Sequence, residues 1–139
     1  MYQAQVSRYQ EIGITSASKE RLILLAYEGT IKFLNQARMH IEQRNIAAKC
    51  DRISKAVAVI DELAASLNME EGKEVAENLA SLYEYMMKRL VLANLNSDPK
   101  ILDEVLSLLK TLYSAWVEVI DKPGVSLPRE TAAVLQIAA

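Results

Sequence analysis

Cysteine and histidine are each represented once in this 139-residue chain, at Cys50 and His40, and the chain has three prolines and four glycines. A single cysteine excludes an intramolecular disulfide and fits a reducing compartment. One histidine leaves no Ser/His/Asp set and no Glu-x-x-His pairs for a di-metal centre in a helical bundle; Ala37 stands three residues before His40. Cys-x-x-Cys pairs and glycine-rich phosphate loops are also missing. No excess of one charge exists either: 16 Lys and Arg face 18 Asp and Glu, interspersed, for a formal charge of −2. That balance predicts no nucleic-acid or anionic-membrane footprint. The apolar run over 22–27 is too short to span a bilayer, and the first residues lack the basic region and apolar core of a signal peptide. The composition reads as a soluble intracellular domain that binds rather than catalyses, with neither metal nor cofactor.

Ala, Leu, Glu and Lys dominate the long segments, and Gly29 alone among the glycines falls away from an expected helix end. Good helix formers without interior breakers predict an all-α fold. Residues 1–18 carry Tyr2, Val6, Tyr9, Ile12 and Ile14 without a sustained period and read as an irregular arm. Ser18 is the expected N-cap of a first helix over about 19–44, with Glu20 in its first turn. Leu22, Leu25, Ala26, Phe33, Ala37 and Ile41 form its expected apolar face, and Gly29 in the middle implies close approach by a neighbour. Asn45 both ends this helix and caps the second, over about 46–67, whose seam is Ile46, Cys50, Ile53, Val57, Ile60, Ala64 and Leu67. A break over 68–72 precedes a third helix reaching about Asn94. Asp98-Pro99 starts a fourth, with Leu102, Val105, Leu109, Leu112, Trp116 and Val119 in register until Lys122-Pro123-Gly124. Short connections make neighbours antiparallel, so the expected architecture is an up-down-up-down four-helix bundle over 19–121, with helices roughly 35 Å long. The tail over 122–139 has a possible short helix after Pro128.

The third helix holds more large apolar side chains than one stripe can bury. Val75, Leu79, Leu82, Met86 and Ala93 read as its inner face; Leu90 falls one position out of step, where Arg89 stands. Tyr83, Tyr85, Met87 and Leu92 are left on other faces, rimmed by Glu84, Lys88 and Arg89. Such surplus apolar material suits either a helix buried on several sides or a partner-binding groove.

Along the chain come, in order, Tyr9-Gln10, Ser16-Ala17-Ser18 with Leu22, Leu25, Tyr27, Glu28 and Gly29, Ile53-Ser54-Lys55-Ala56, and Ile60-Asp61-Glu62-Leu63 with Leu67-Asn68. Asn78-Leu79, Leu82 to Met86, Arg89-Leu90, Ala93-Asn94, Asp103-Glu104-Val105 and Ala115-Trp116 continue the series to about residue 121. In order and spacing these blocks resemble the FliS family of bacterial flagellin-specific export chaperones. Ser16 and Lys19 depart from the family's usual Thr and Pro, and Ala26 from a larger residue. The resemblance implies a cytoplasmic, ATP-independent chaperone that binds the C-terminal segment of flagellin and prevents premature polymerisation. It further implies delivery to the flagellar type III export gate, with other flagellar regulators as possible partners. Candidate groove residues are Tyr27, Tyr83, Tyr85, Met86, Met87, Arg89 and Asn94; Val6, Tyr9, Ile12 and Ile14 are candidate anchors of a lid formed by the arm. Two alternatives stay open on the residues alone: a phosphotransfer module using His40 with Arg44 as its cation, and a structural bundle that oligomerises through the same apolar surface.

Overall fold

In the computed structural model, which describes residues 18–121, four helices follow one another: α1 (Lys19–Glu42), α2 (Ile46–Ala65), α3 (Met69–Asn96) and α4 (Pro99–Asp121). Their starts follow the expected capping chemistry. The side chains of Ser18, Asn45 and Asn68 accept hydrogen bonds from the backbone N–H groups of Arg21, Ala48 and Glu71. Asp98 accepts one from Lys100 N–H ahead of α4, whose first residue, Pro99, has no amide hydrogen to satisfy.

Contacts between helix ends set the topology. Arg38, late in α1, reaches the Pro99 carbonyl and Asp103 at the start of α4; Lys49, early in α2, reaches Asn94 and Ser97 at the end of α3. Each pair is therefore antiparallel. With α1 also packed on α2 and α3 on α4 through two- and three-residue connections, the chain closes a four-membered ring running up, down, up and down. Residues 1–17 and 122–139, with the arm, lid anchors and tail helix expected there, lie outside the described residues.

The core is built on 3-4 spacing. α3 buries Ala76, Leu79, Tyr83, Met86, Leu90 and Ala93; α2 buries Ile53, Ala56, Ile60 and Leu63; α4 buries Leu102, Val105, Leu109 and Trp116. Such spacing keeps one seam facing its neighbours at a shallow crossing angle.

Four expectations change. First, α1 buries Leu24, Tyr27, Thr30, Leu34 and Ala37, so Leu25 is exposed while Ala26, Phe33 and Ile41 only flank the core. Second, Ile46 does not join the α2 seam and stays 65% exposed; Cys50 is half-buried. Third, residues 69–72 do not break the path before α3: Asn68 caps at once, and the irregularity is a kink at Lys73, with φ 49° and ψ −122°. Fourth, a Cβ on Gly29 would meet nothing within 4 Å among the described residues, so no neighbour there explains the glycine.

Candidate partner-binding faces

Tyr27 and Tyr83 meet in the middle of the bundle, on helices that face each other diagonally. Their hydroxyls lie 2.6 Å apart, and both rings are almost fully buried. Burial pushes both phenols above the ordinary tyrosine value, and for Tyr83 the neighbouring Tyr27 pushes further. Each hydroxyl thereby acquires the partner a buried polar tip requires. Met86 is fully buried in the same seam. These three candidates thus belong to the core and are out of a partner's reach in this bundle. Leu90 signals the reason: a 3-4 seam through Leu90 and Ala93 takes in Tyr83 and leaves Leu82 at its edge.

Of the remaining candidates, Tyr85 and Arg89 occur together on the α3–α4 face. Glu104 of α4 accepts from both, from the Tyr85 hydroxyl at 2.8 Å and from Arg89 Nε at 2.7 Å. The Arg89 guanidinium, then the Tyr85 hydroxyl, hold the Glu104 carboxyl below its ordinary value; the same carboxylate raises Tyr85. Tyr85 is 43% exposed, and Leu92, two turns on, is comparably open. This strip offers an aromatic surface and a charged pair to a partner. Val91 and Leu95 are more exposed still, on the outer side of α3.

Met87 and Asn94 sit toward α2 instead. Met87 packs on the core, and the Asn94 side chain accepts from the Cys50 thiol at 3.3 Å. Beside it lies a residue the sequence reading passed over. Lys49 is 96% removed from solvent, and its ammonium donates to the Asn94 carbonyl and to Ser97 Oγ, each at 2.8 Å. Ser97 closes α3 with a left-handed backbone (φ 48°). The lysine therefore puts a positive charge on the carbonyl end of α3, where the helix dipole favours it. A lysine between Ala48 and Cys50 gave little sign of this, because its partners come 45 and 48 residues later.

His40 occupies the last turn of α1, half-buried, with Nδ1 enclosed and unpartnered among the described residues. The cleft between α1 and α4, about 600 Å³, is polar: Asn35, Ser107, Lys110 and Ser114 line it, with the Arg38–Asp103 pair (3.0 Å) at one end. Among the described residues no group of three or more His, Cys, Asp or Glu could hold a metal ion, and no helix is long and apolar enough to cross a membrane.

A profile of the family described as "Flagellar protein FliS" matches residues 1–123. The chain belongs to the FliS family. Among relatives, the flagellar secretion chaperone FliS of Salmonella typhimurium is 41% identical over 120 residues, covering 86% of this chain and 87% of its own length. Flagellar secretion chaperone FliSB of Pseudomonas aeruginosa is 41% identical over 115 residues, covering 80% and 91%. The Escherichia coli FliS, also a flagellar secretion chaperone, is 33% identical over 130 residues, covering 89% and 96%. FliS proteins are chaperones and not enzymes, and the match takes in the whole four-helix bundle.

Proposed function

We propose that this FliS-family chain is a cytoplasmic export chaperone. It binds the C-terminal segment of flagellin, prevents premature polymerisation and passes the client to the flagellar type III secretion apparatus. The family match across all four helices carries the reading. The surface supports it: the exposed large apolar residues are spread over α1, α2 and α3, at Leu25, Ile46, Tyr85, Val91 and Leu95 among others, rather than gathered in one pocket. A client segment that orders only on binding must offset its lost entropy with extended apolar contact, and long helix faces supply that better than a cavity does.

On this reading Tyr85 and Arg89 contact the client along the α3–α4 face, and the arm, with Val6, Tyr9, Ile12 and Ile14, is a displaceable cover over part of the binding surface. The test uses purified monomeric flagellin. The chain should bind it one to one and delay filament growth, and flagellin lacking its C-terminal segment should do neither. Unchanged polymerisation with no complex on gel filtration would refute the reading. Tyr85→Ala should weaken the complex and leave thermal unfolding in place, since the side chain is outside the core. Deleting residues 1–13 should raise dye binding to exposed apolar surface without lowering affinity.

A further inference from the structure

Tyr85 and Arg89 stand one turn apart on α3, so their side chains leave the helix on one face. Glu104, in the second turn of α4, reaches both at once: Oε2 accepts from the Tyr85 hydroxyl at 2.8 Å and Oε1 from Arg89 Nε at 2.7 Å. A single carboxylate thus ties together two residues of the neighbouring helix, each of its oxygens serving a different donor. Arg89 first and Tyr85 second hold the Glu104 carboxyl below its ordinary range, so the anion that binds them persists through neutral pH.

The packing of α3 on α4 does not call for this arrangement. Leu90 of α3 and Leu102, Val105 and Leu106 of α4 are already buried in the core. The Arg89 and Glu104 side chains keep 32% and 39% of their surface in solvent, and Tyr85 is 43% exposed. Ion pairs so open to water add little to stability, because solvent screens the attraction and ordering long side chains costs entropy. A phenol and a guanidinium are nevertheless held in one arrangement on an open surface. Arg89 engages Glu104 through Nε alone, and its two terminal nitrogens make no hydrogen bond among the described residues. The donors a partner would use are therefore still available while the side chain that carries them is fixed.

We propose that Glu104 is a positioning residue for the client: it fixes the Tyr85 ring and the Arg89 guanidinium in advance, so that flagellin meets a preformed aromatic and hydrogen-bonding element. The inference rests on the client-binding reading above and adds to it a residue that acts through two others. Without Glu104, both side chains rotate freely in the empty chaperone and have to be ordered as the client binds. Ordering one flexible side chain at an interface weakens binding by about twofold to tenfold, so loss of the clamp on two of them should weaken the complex by roughly fivefold to a hundredfold.

The experiment measures affinity for purified monomeric flagellin by calorimetric titration, together with thermal unfolding, for the wild type, Glu104→Ala and Glu104→Gln. A second background, Tyr85→Phe with Arg89→Met, is measured with and without Glu104→Ala. Glu104→Ala should lose roughly fivefold to a hundredfold in affinity while Tm stays within about 2 °C of the wild type. Glu104→Gln, which retains an acceptor oxygen for Arg89, should lose less. In the Tyr85→Phe/Arg89→Met background, itself a weaker binder, adding Glu104→Ala should bring no further loss, as expected of a residue that acts through the other two. The clamp is also visible in tyrosine absorbance: the phenol removed by Tyr85→Phe should ionise above the ordinary tyrosine value in the wild type and at lower pH in Glu104→Ala.

Wild-type affinity in Glu104→Ala overturns the proposal, and so does an equal loss in both backgrounds, which would mean that Glu104 touches the client itself. A fall in Tm that accounts for the whole loss of binding, or an unchanged Tyr85 ionisation, overturns it too. If Tyr85→Phe/Arg89→Met binds as the wild type does, the client lies on another face and the proposal falls. A wild type that binds no flagellin at all refutes the chaperone reading instead, so the two failures are distinguishable.

Discussion

Replacing Tyr27 and Tyr83 by phenylalanine, singly and together, isolates one hydrogen bond in the centre of the bundle. Either single change removes the 2.6 Å contact and leaves the other hydroxyl in a site with almost no solvent access. A buried group deprived of its partner costs about 1–3 kcal/mol, whereas removing both polar atoms from an otherwise unchanged shape is nearly neutral. Urea unfolding followed by helical circular dichroism should give singles that are each destabilised and a double variant more stable than the worse single. The coupling should be about 1–3 kcal/mol in favour of the pair. Additive losses would refute the idea that the two hydroxyls satisfy one another.

The same pair sets an alkaline limit. Burial raises both phenols above their ordinary value, so between pH 10 and the folded-state values the unfolded chain has released protons that the folded chain still holds. Stability is therefore fully present below pH 10 and falls as pH rises beyond it, by up to about 1.4 kcal/mol per pH unit for each tyrosine. The double phenylalanine variant should show a flatter decline of Tm above pH 10. An equally steep decline in that variant would place the alkaline transition elsewhere.

Lys49→Met should lower stability by roughly 1–3 kcal/mol, since it strips the Asn94 carbonyl and Ser97 hydroxyl of their donor at a buried helix end; an unchanged urea midpoint would show that water replaces the ammonium without loss. Lys73→Gly should raise the midpoint, because Lys73 holds a backbone conformation that favours glycine, and strain of about 1–3 kcal/mol outweighs the extra entropy of an unfolded glycine. A lowered midpoint would refute that. Trp116, 5% exposed, should emit at short wavelength and resist iodide quenching until the bundle unfolds; efficient quenching of the native protein would place it on the surface.

Helix starts were legible because capping is local. Ser18, Asn45 and the Asp98–Pro99 step act within three residues of themselves, and each does in the structure what its chemistry suggests. The start of α3 departs from expectation for a related reason: in sequence Gly72 suggests the end of a break, whereas in the structure Asn68 with Glu70 and Glu71 already form a complete first turn, and the bend is taken up by Lys73. Lys49 was not legible. Its burial depends on the end of a helix 45 residues further along, and a lysine in an amphipathic segment ordinarily points to water.

The choice between seams on α1 lies between these cases. Both apolar rows have good helical spacing, and they lie on faces separated by about 100°, one residue's rotation about the helix axis. Turning the second row inward would bring Gly29, Gln36 and His40 into the core, exchanging a tyrosine's volume for a void and adding polar atoms without partners. Turning the first inward buries Leu24, Tyr27, Thr30 and Leu34, and both polar tips this introduces find partners: the Tyr27 hydroxyl meets that of Tyr83, and the Thr30 hydroxyl donates to the Ala26 carbonyl. The interior therefore takes the first row on grounds of volume and hydrogen bonding together. Once it has done so, the row carrying Gly29 is left half-buried at the edge of the core, with open space at Gly29 and with Gln36 Oε1 and His40 Nδ1 enclosed without a hydrogen-bond partner among the described residues.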